Sequence, residues 1–124
     1  MIVARFKRDP DAGRLSMRVS GHAGHGPRGF DVICAGASML AYTAAQCLDL
    51  MAQEDKLEEG PVLNIRDGRM SVSVIPKAEH HNEALHVLWQ AEVGYTLLAR
   101  NYPDYVKVHV FEPAEKAVLK ESST

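Results

Sequence analysis

The stretch that decides the fold is RLSMRVSGHAGHGPRGFDVICAGASMLAYTAAQCLDLMAQ, residues 14–53, because the spacing of its apolar residues changes halfway along. Residues 14–20 alternate between apolar and polar side chains, a period of two that is typical of a strand with one buried face. From about Asp31 to Gln53 the apolar residues recur every three or four positions, which is the period of an amphipathic helix. The segment therefore predicts a strand, a glycine-rich loop and a long helix.

The segments on either side of this stretch predict further strands. Residues 2–6 are rich in β-forming side chains, and the turn cluster at 9–13 predicts that they pair with the next strand as a hairpin. Further along, Gly60-Pro61 breaks the chain before two apolar runs at 62–65 and 70–75. The Asp-Gly pair between these runs is typical of a type I′ hairpin turn, in which both central residues have positive φ.

The C-terminal third adds one helix and one strand. Apolar residues from Ala84 to Leu98 recur at helical spacing, Pro103 ends that helix, and residues 106–110 alternate as a last strand. The order of elements is therefore β-β-α-β-β-α-β. Two hairpins, each followed by a helix, predict an α+β sandwich in which two helices pack on a mostly antiparallel sheet.

The length and composition predict one domain without a broad electrostatic partner. Because 124 residues are too few for two stable cores, we expect a single domain over residues 1–113 and a polar tail over 114–124. A net charge of −2 predicts no direct nucleic-acid binding, which usually needs a concentrated basic face.

The compartment is predicted from the N-terminus and the cysteines. Residues 1–8 contain no apolar core of a secretory signal, and the apolar runs fall short of the roughly 20 residues of a membrane span. The two cysteines have no spacing typical of a disulfide framework or a zinc site. We therefore expect a cytoplasmic protein with free thiols and no membrane partner.

Cys34 lies where the start of a helix can activate it. If Asp31 is the N-cap and its carboxylate accepts free backbone N–H groups, Cys34 is the third residue of the helix. The positive end of the helix dipole stabilises a thiolate, the nucleophilic form, over a thiol. Cys34 is also rotated off the apolar stripe, whereas Cys47 lies on it and is interpreted as a packing residue. Cys34 is therefore the candidate nucleophile.

Two histidines precede Cys34, and imidazole is the natural base for a thiol because its charge changes near neutral pH. His22 follows directly on the second strand, so the sheet anchors its backbone, whereas His25 lies in the middle of the loop. A catalytic base must be held within hydrogen-bond reach of its partner, which favours His22. From residue types alone, the pair is also compatible with an ordinary loop histidine and a helix-end cysteine.

The residues around this pair have more than one interpretation. Asp31 either only caps the helix or also orients the imidazole of His22. Ser38, one turn after Cys34, either hydrogen-bonds the substrate or the loop or is a simple exposed helix serine. The N–H groups of Cys34 and Ala35 are candidates for stabilising an oxyanion.

The loop before the helix is rich in glycine and is the candidate gate of the site. Its backbone either rearranges over a bound peptide or is an ordinary mobile connection. The glycines concerned are Gly21, Gly24, Gly26 and Gly29.

Two other signals predict neither a cofactor nor a metal. The loop matches G-x-G-x-x-G, but the strand before it belongs to a hairpin and no acidic residue follows at a strand end, so we expect no nucleotide cofactor. His80, His81 and His86 do not form the i, i+4 pair of a helical zinc site and are interpreted as solvent-facing.

Two motifs resemble those of the Prp family of ribosomal-processing cysteine proteases. They are GHAG at residues 21–24 and GFDVICA at 29–35, with Ser38 following, and the order of elements and the chain length are also similar. The resemblance implies a homodimeric α+β fold with a dyad formed by Cys34 and His22. It also implies the family's activity, the removal of a short N-terminal extension from the twenty-seventh large-subunit ribosomal protein before assembly.

A second class of function fits the same residues. The chain would then be a non-catalytic module that binds the ribosome or an assembly factor, and Cys34 would have no chemical role. The reactivity of the thiol distinguishes the two classes, because a cysteine activated by His22 alkylates much faster near neutral pH than Cys47.

Overall fold

The computed structural model describes residues 1–22 and 31–112. Three of the candidate gating glycines, Gly24, Gly26 and Gly29, lie outside the described residues, as does the polar tail over 114–124.

The described residues contain five strands, two long helices and one short 3₁₀ turn. Their bounds are Ile2–Asp9 (β1), Arg14–Ser20 (β2), Val32–Gln53 (α1), Leu57–Arg66 (β3), Arg69–Pro76 (β4), Ala78–His80 (the 3₁₀ turn), His81–Asn101 (α2) and Val106–His109 (β5).

The five strands form one mixed sheet in the order β3-β4-β2-β1-β5. The pairs β1–β2, β2–β4 and β3–β4 are antiparallel, and β5 lies parallel to β1 at the other edge. This confirms the predicted α+β class with a mostly antiparallel sheet. The central position of β2 matters for the site, because it brings the end of β2 beside the β3–β4 turn.

The core lies between one face of the sheet and the two helices. Alternate strand residues such as Phe6, Met17 and Val72 are buried and join one apolar cluster with the inner stripes of α1 and α2. Burial of such side chains contributes roughly 1.5–3 kcal/mol each to stability. The predicted stripe on α1 is buried except at Leu40, which is half-buried.

Two local contacts hold the helices together near the start of α1. The Tyr95 hydroxyl on α2 donates to the Ala37 carbonyl at 2.5 Å. Burial raises the pKa of Tyr95 well above its usual value, so this hydroxyl stays protonated and remains a donor. Gly94 lies against Leu40, since a Cβ at this position would overlap a Leu40 methyl group. The helices therefore approach closely at a level one turn beyond Cys34.

The β3–β4 hairpin differs from its prediction in two details. Gly60-Pro61 does not break the chain: β3 begins at Leu57 and runs through a cis Gly60–Pro61 peptide, and the register with β4 shifts on both sides of Glu59. A bulge absorbs the extra residues, and an edge strand tolerates proline. In the turn between these strands, Gly68 has a positive φ and Asp67 does not, since Asp55 is the one described non-glycine residue with a positive φ. The turn is therefore not type I′, which needs a positive φ at both positions.

Helix α1 differs from the expectation that the apolar runs are too short for a membrane span. Its 22 residues are long and apolar enough, by length and mean hydropathy, to cross a membrane. Core helices of globular proteins pass the same test, and seven residues of α1 are buried in this structure, among them Ile33, Leu48 and Met51. In this fold α1 packs as a core helix.

Candidate active site

A cleft of about 150 Å³ opens between the first turns of α1 and the nearby strand ends. Cys34, Ser38 and Tyr42 line its helical wall at intervals of four residues, with Ala37 and Ala41 behind them. Residues four apart lie above one another on a helix, so this row is continuous.

The opposite wall comes from the sheet and from the β3–β4 hairpin. Gly21 and His22 line it just after β2, and the hairpin contributes Arg66, Gly68 and Arg69. The cleft therefore collects four sequence-predicted residues from separate elements: Gly21, His22, Cys34 and Ser38.

Packing on either side determines where Cys34 points. Its neighbours Ile33 and Ala37 are buried in the core, which fixes the rotation of the first helical turn. Cys34 itself is half-buried and contacts the core cluster at its edge. As the third residue of α1, its sulfur lies within the first turn, where the helix dipole favours a negative charge.

Asp31 is the N-cap of α1. Its Oδ1 accepts the N–H groups of Ile33 at 2.9 Å and Cys34 at 3.2 Å, and the side chain is only 8% exposed. A buried carboxylate that receives two backbone N–H groups satisfies two of the otherwise unpaired donors at a helix start. Asp31 does not line the cleft wall that contains His22.

The N–H groups of Ala35 and Cys34, the candidates for stabilising an oxyanion, both have partners at the start of the helix. The Ala35 N–H donates to the Asp31 carbonyl at 3.0 Å, which is the first hydrogen bond of the helix, and the Cys34 N–H donates to the Asp31 carboxylate. Both donors are engaged in starting the helix, so neither is a vacant N–H group directed at a substrate.

His22 is held by the backbone on both sides of it. The Gly21 N–H donates to the Gly68 carbonyl at 2.7 Å, and the His22 carbonyl accepts from the Met1 nitrogen at 2.6 Å. The imidazole lies against the hairpin turn, because a Cβ built on Gly68 would lie 3.0 Å from its Nε2 atom. Gly68 has a φ of +72°, so both its backbone conformation and the space above it suit glycine.

Several lining residues were not predicted from the sequence. Arg66, Gly68 and Arg69 reach the cleft only because β4 pairs with β2, and no local pattern indicates that pairing. Tyr42 also lies in the cleft wall, where it is 49% exposed. Its position two turns after Cys34 was the one available signal.

Cys47 and the other described histidines lie away from the cleft, and His25 lies outside the described residues. Cys47 is half-buried in a groove between α1 and α2, so it packs at a surface groove and not in the core. His81 is half-buried, contrary to the solvent-facing interpretation, and burial followed by the charge of Arg8 lowers its pKa. Within residues 1–22 and 31–112, His, Cys, Asp and Glu form no group of three that could hold a metal ion.

Comparison with known proteins decides between the two classes of function. A family model for the cysteine protease Prp matches residues 1–107 of the chain. The chain belongs to this family. It is therefore a cysteine protease, and the alternative of a non-catalytic binding module is set aside.

Relatives and solved structures agree with this assignment. The ribosomal processing cysteine protease Prp of Bacillus subtilis is 28% identical over 112 residues, which cover 87% of this chain and 96% of that protein. The Staphylococcus aureus protease Prp, solved with a covalently linked product peptide, superposes with a TM-score of 0.70 at 22% identity, covering 90% of this chain and all of that one. A structure from Streptococcus mutans gives a TM-score of 0.63 at 27% identity, covering 90% and 96%.

Proposed function

We propose that this protease removes the short N-terminal extension of the twenty-seventh large-subunit ribosomal protein, with Cys34 as the nucleophile and His22 as its acid and base. The observation that carries the proposal is the shared cleft. Two side chains that are twelve positions apart in the sequence, one after a strand and one in a helix, face the same space. Of the two cysteines, only Cys34 lines it.

The chemistry is acyl transfer through a thioester. His22 accepts the proton of Cys34, and the thiolate attacks the carbonyl carbon of the scissile peptide bond. The tetrahedral intermediate collapses as His22 returns that proton to the leaving amine. A water molecule, deprotonated by His22, then attacks the thioester carbonyl, which releases the second product and restores the thiol.

The wall residues suggest how a peptide is held during these steps. Ser38 and Tyr42 continue the row that begins at Cys34, so a peptide extending along α1 from the nucleophile meets a hydroxyl at each turn. Arg66 and Arg69 on the opposite wall add positive charge. Asp31 acts on this site through the helix it caps, which fixes the direction of Cys34.

The substrate assignment rests on the family. The Bacillus subtilis relative is a ribosomal processing protease, and a second Staphylococcus aureus structure contains a substrate peptide.

The resemblance to the family also leads us to propose a cytoplasmic enzyme that forms a homodimer. Exposed apolar residues on the outer side of the helices, such as Met39, Val93 and Leu97, are compatible with such an interface. Light scattering after size-exclusion chromatography tests the homodimer, for which we expect twice the mass of one chain.

Cleavage of a synthetic peptide that spans the extension and the first mature residues of the ribosomal protein tests the activity. We expect Cys34→Ser and His22→Ala to lose at least 10³-fold in kcat/KM with unchanged thermal stability, since each removes a member of the dyad. Cys47→Ser is the matched control and should cleave like the unaltered enzyme. Cleavage that survives Cys34→Ser would overturn the assignment of the nucleophile.

Alkylation tests the dyad without any substrate. Iodoacetamide labelling at pH 7, followed by mass spectrometry, reports the rate at each cysteine. We expect Cys34 to react at least ten-fold faster than Cys47, and His22→Ala to remove that difference without changing the rate at Cys47. Equal labelling of both thiols in the unaltered protein would contradict the role of His22.

A further inference from the structure

The face of the sheet opposite the helices is exposed and polar. Along β1, Ile2, Ala4 and Phe6 point into the core, so Arg5 and Lys7 point to the other side, where both are exposed. Both long helices pack on the opposite side, against the buried residues of the strands. The helix-free face is therefore an open surface of the described fold.

Strand pairing concentrates cationic side chains on this open surface. Six exposed residues among the 14 Lys and Arg of the chain project there, and each of the five strands contributes at least one of them. We call them the basic face: Arg5, Lys7, Arg18, Arg66, Arg69 and Lys107. The net charge of −2 does not indicate this cluster of positive charge, because net charge does not depend on where the strands place each residue.

The register places like charges directly opposite one another. Arg5 pairs with Arg18 across β1 and β2, and Arg66 pairs with Arg69 across β3 and β4. Like charges at directly opposed positions destabilise a sheet. Such an arrangement reduces the stability of the free protein and favours a bound anion that neutralises it.

The positive charge of the basic face also acts on His109 at the β5 edge. It pairs with Arg5 in the parallel register and lies two residues after Lys107. Desolvation lowers its pKa first, and the charges of Arg5 and Lys107 lower it further.

Acidic residues flank the basic face and do not interrupt its centre. Asp67 lies at the hairpin tip, and Asp9 and Glu59 lie at the far end, where Glu59 pairs with Arg14 at 3.1 Å. Between these ends, the strand positions on this face contain no Asp or Glu.

The uncharged positions of this face suit a phosphate backbone. Ser16, Ser71 and Ser73 line a groove of about 290 Å³ together with Arg5 and Arg18. Hydroxyl groups, Arg and Lys are the side chains that contact nucleic-acid phosphates and sugars. No Phe, Tyr or Trp occupies these strand positions, so the face lacks the large aromatic rings on which unpaired bases stack. Four strand spacings of about 4.8 Å make it roughly 19 Å wide, enough to contact several phosphates at once.

We propose that the basic face binds the sugar–phosphate backbone of double-helical RNA without sequence preference. The choice of RNA over an acidic protein rests on the proposed function, because the substrate proposed there is a ribosomal protein, whose own partner is structured RNA. Arg66 and Arg69 border both the basic face and the cleft. RNA on this face would therefore lie next to a peptide held at Cys34.

Fluorescence anisotropy with a labelled 20-base-pair RNA duplex tests the proposal between 50 and 200 mM salt. We expect binding that weakens steeply with salt. Arg5→Gln with Arg18→Gln should weaken binding at least ten-fold and reduce the log–log salt slope by about two, one for each phosphate that is no longer neutralised. The matched control, Lys56→Gln with Arg100→Gln, removes the same charge elsewhere and should stay within two-fold.

Three outcomes would overturn the proposal: no RNA binding at 50 mM salt, equal losses in the two double variants, or tighter binding of poly-glutamate than of RNA, which would indicate an acidic protein partner. Arg5 and Arg18 do not line the cleft, so their double variant should cleave the extension peptide at the unaltered rate. If the unaltered protein binds RNA but does not cleave that peptide, the proposed substrate fails and the basic face stands.

Discussion

Gly68→Ala separates the position of the His22 imidazole from the stability of the hairpin. The new methyl group would lie 3.0 Å from Nε2 of His22, so the imidazole must give way by a few tenths of an ångström. Gly13→Ala is a matched control, because Gly13 has nearly the same φ, +70° against +72°, and its Cβ meets only an Ile75 methyl group at an ordinary 3.9 Å.

Both variants should lose similar stability, and only one should lose activity. Alanine in the left-handed region costs roughly 1–2 kcal/mol, which corresponds to a decrease in Tm of about 3–10 °C for a domain of this size. A misplacement of about 1 Å in a catalytic group can reduce the rate about 10²-fold. For the smaller displacement at His22 we expect kcat/KM to fall about ten-fold in Gly68→Ala and to stay within two-fold in Gly13→Ala.

The assay is cleavage of the extension peptide at 25 °C, where both variants are folded, together with calorimetric Tm values. Equal Tm losses with unchanged cleavage in Gly68→Ala would refute the reasoning, because the imidazole would then not need the position that the turn defines. Equal losses of cleavage in both variants would also refute it, since the effect would then follow stability alone.

Two further predictions concern the supports of the site, and a third concerns His81 at the start of α2. Asp31→Ala should reduce the free energy of unfolding, measured in urea, by about 1 kcal/mol. Asp31→Asn keeps a capping oxygen, so it should retain both this stability and the rate of cleavage. Loss of cleavage in Asp31→Asn would show that the carboxylate orients the imidazole of His22. Tyr95→Phe removes the hydrogen bond to Ala37 and should cost about 1 kcal/mol in thermal unfolding, with kcat/KM within two-fold; a neutral change would contradict the anchoring role. Burial and Arg8 lower the pKa of His81, so the folded protein binds that proton less readily than the unfolded chain, and stability should fall as the pH decreases through about 6.5. His81→Gln should flatten this part of the stability profile, and an unchanged profile would exclude the contribution.

The elements of this fold were predictable because their signals are local. The alternation in β2, the three-and-four spacing in α1 and the cap at Asp31 each lie within a few residues of the structure they specify, and each has its expected place in the structure. The errors occurred where neighbours in space decide. The bulge at Gly60-Pro61 depends on pairing with β4, and the place of Arg66 and Arg69 in the cleft depends on the pairing of β4 with β2.

The sequence by itself determined the order of elements, the helix start that carries Cys34 and the family to which the chain is similar, because periodicity, capping and motifs are written in consecutive residues. Only the tertiary structure decided what meets across the sheet. The β2–β4 pairing places Gly68 against His22, and the β1–β2 register sets Arg5 opposite Arg18. Such contacts join residues far apart in the chain, and their geometry follows from strand order and register, which no single segment encodes.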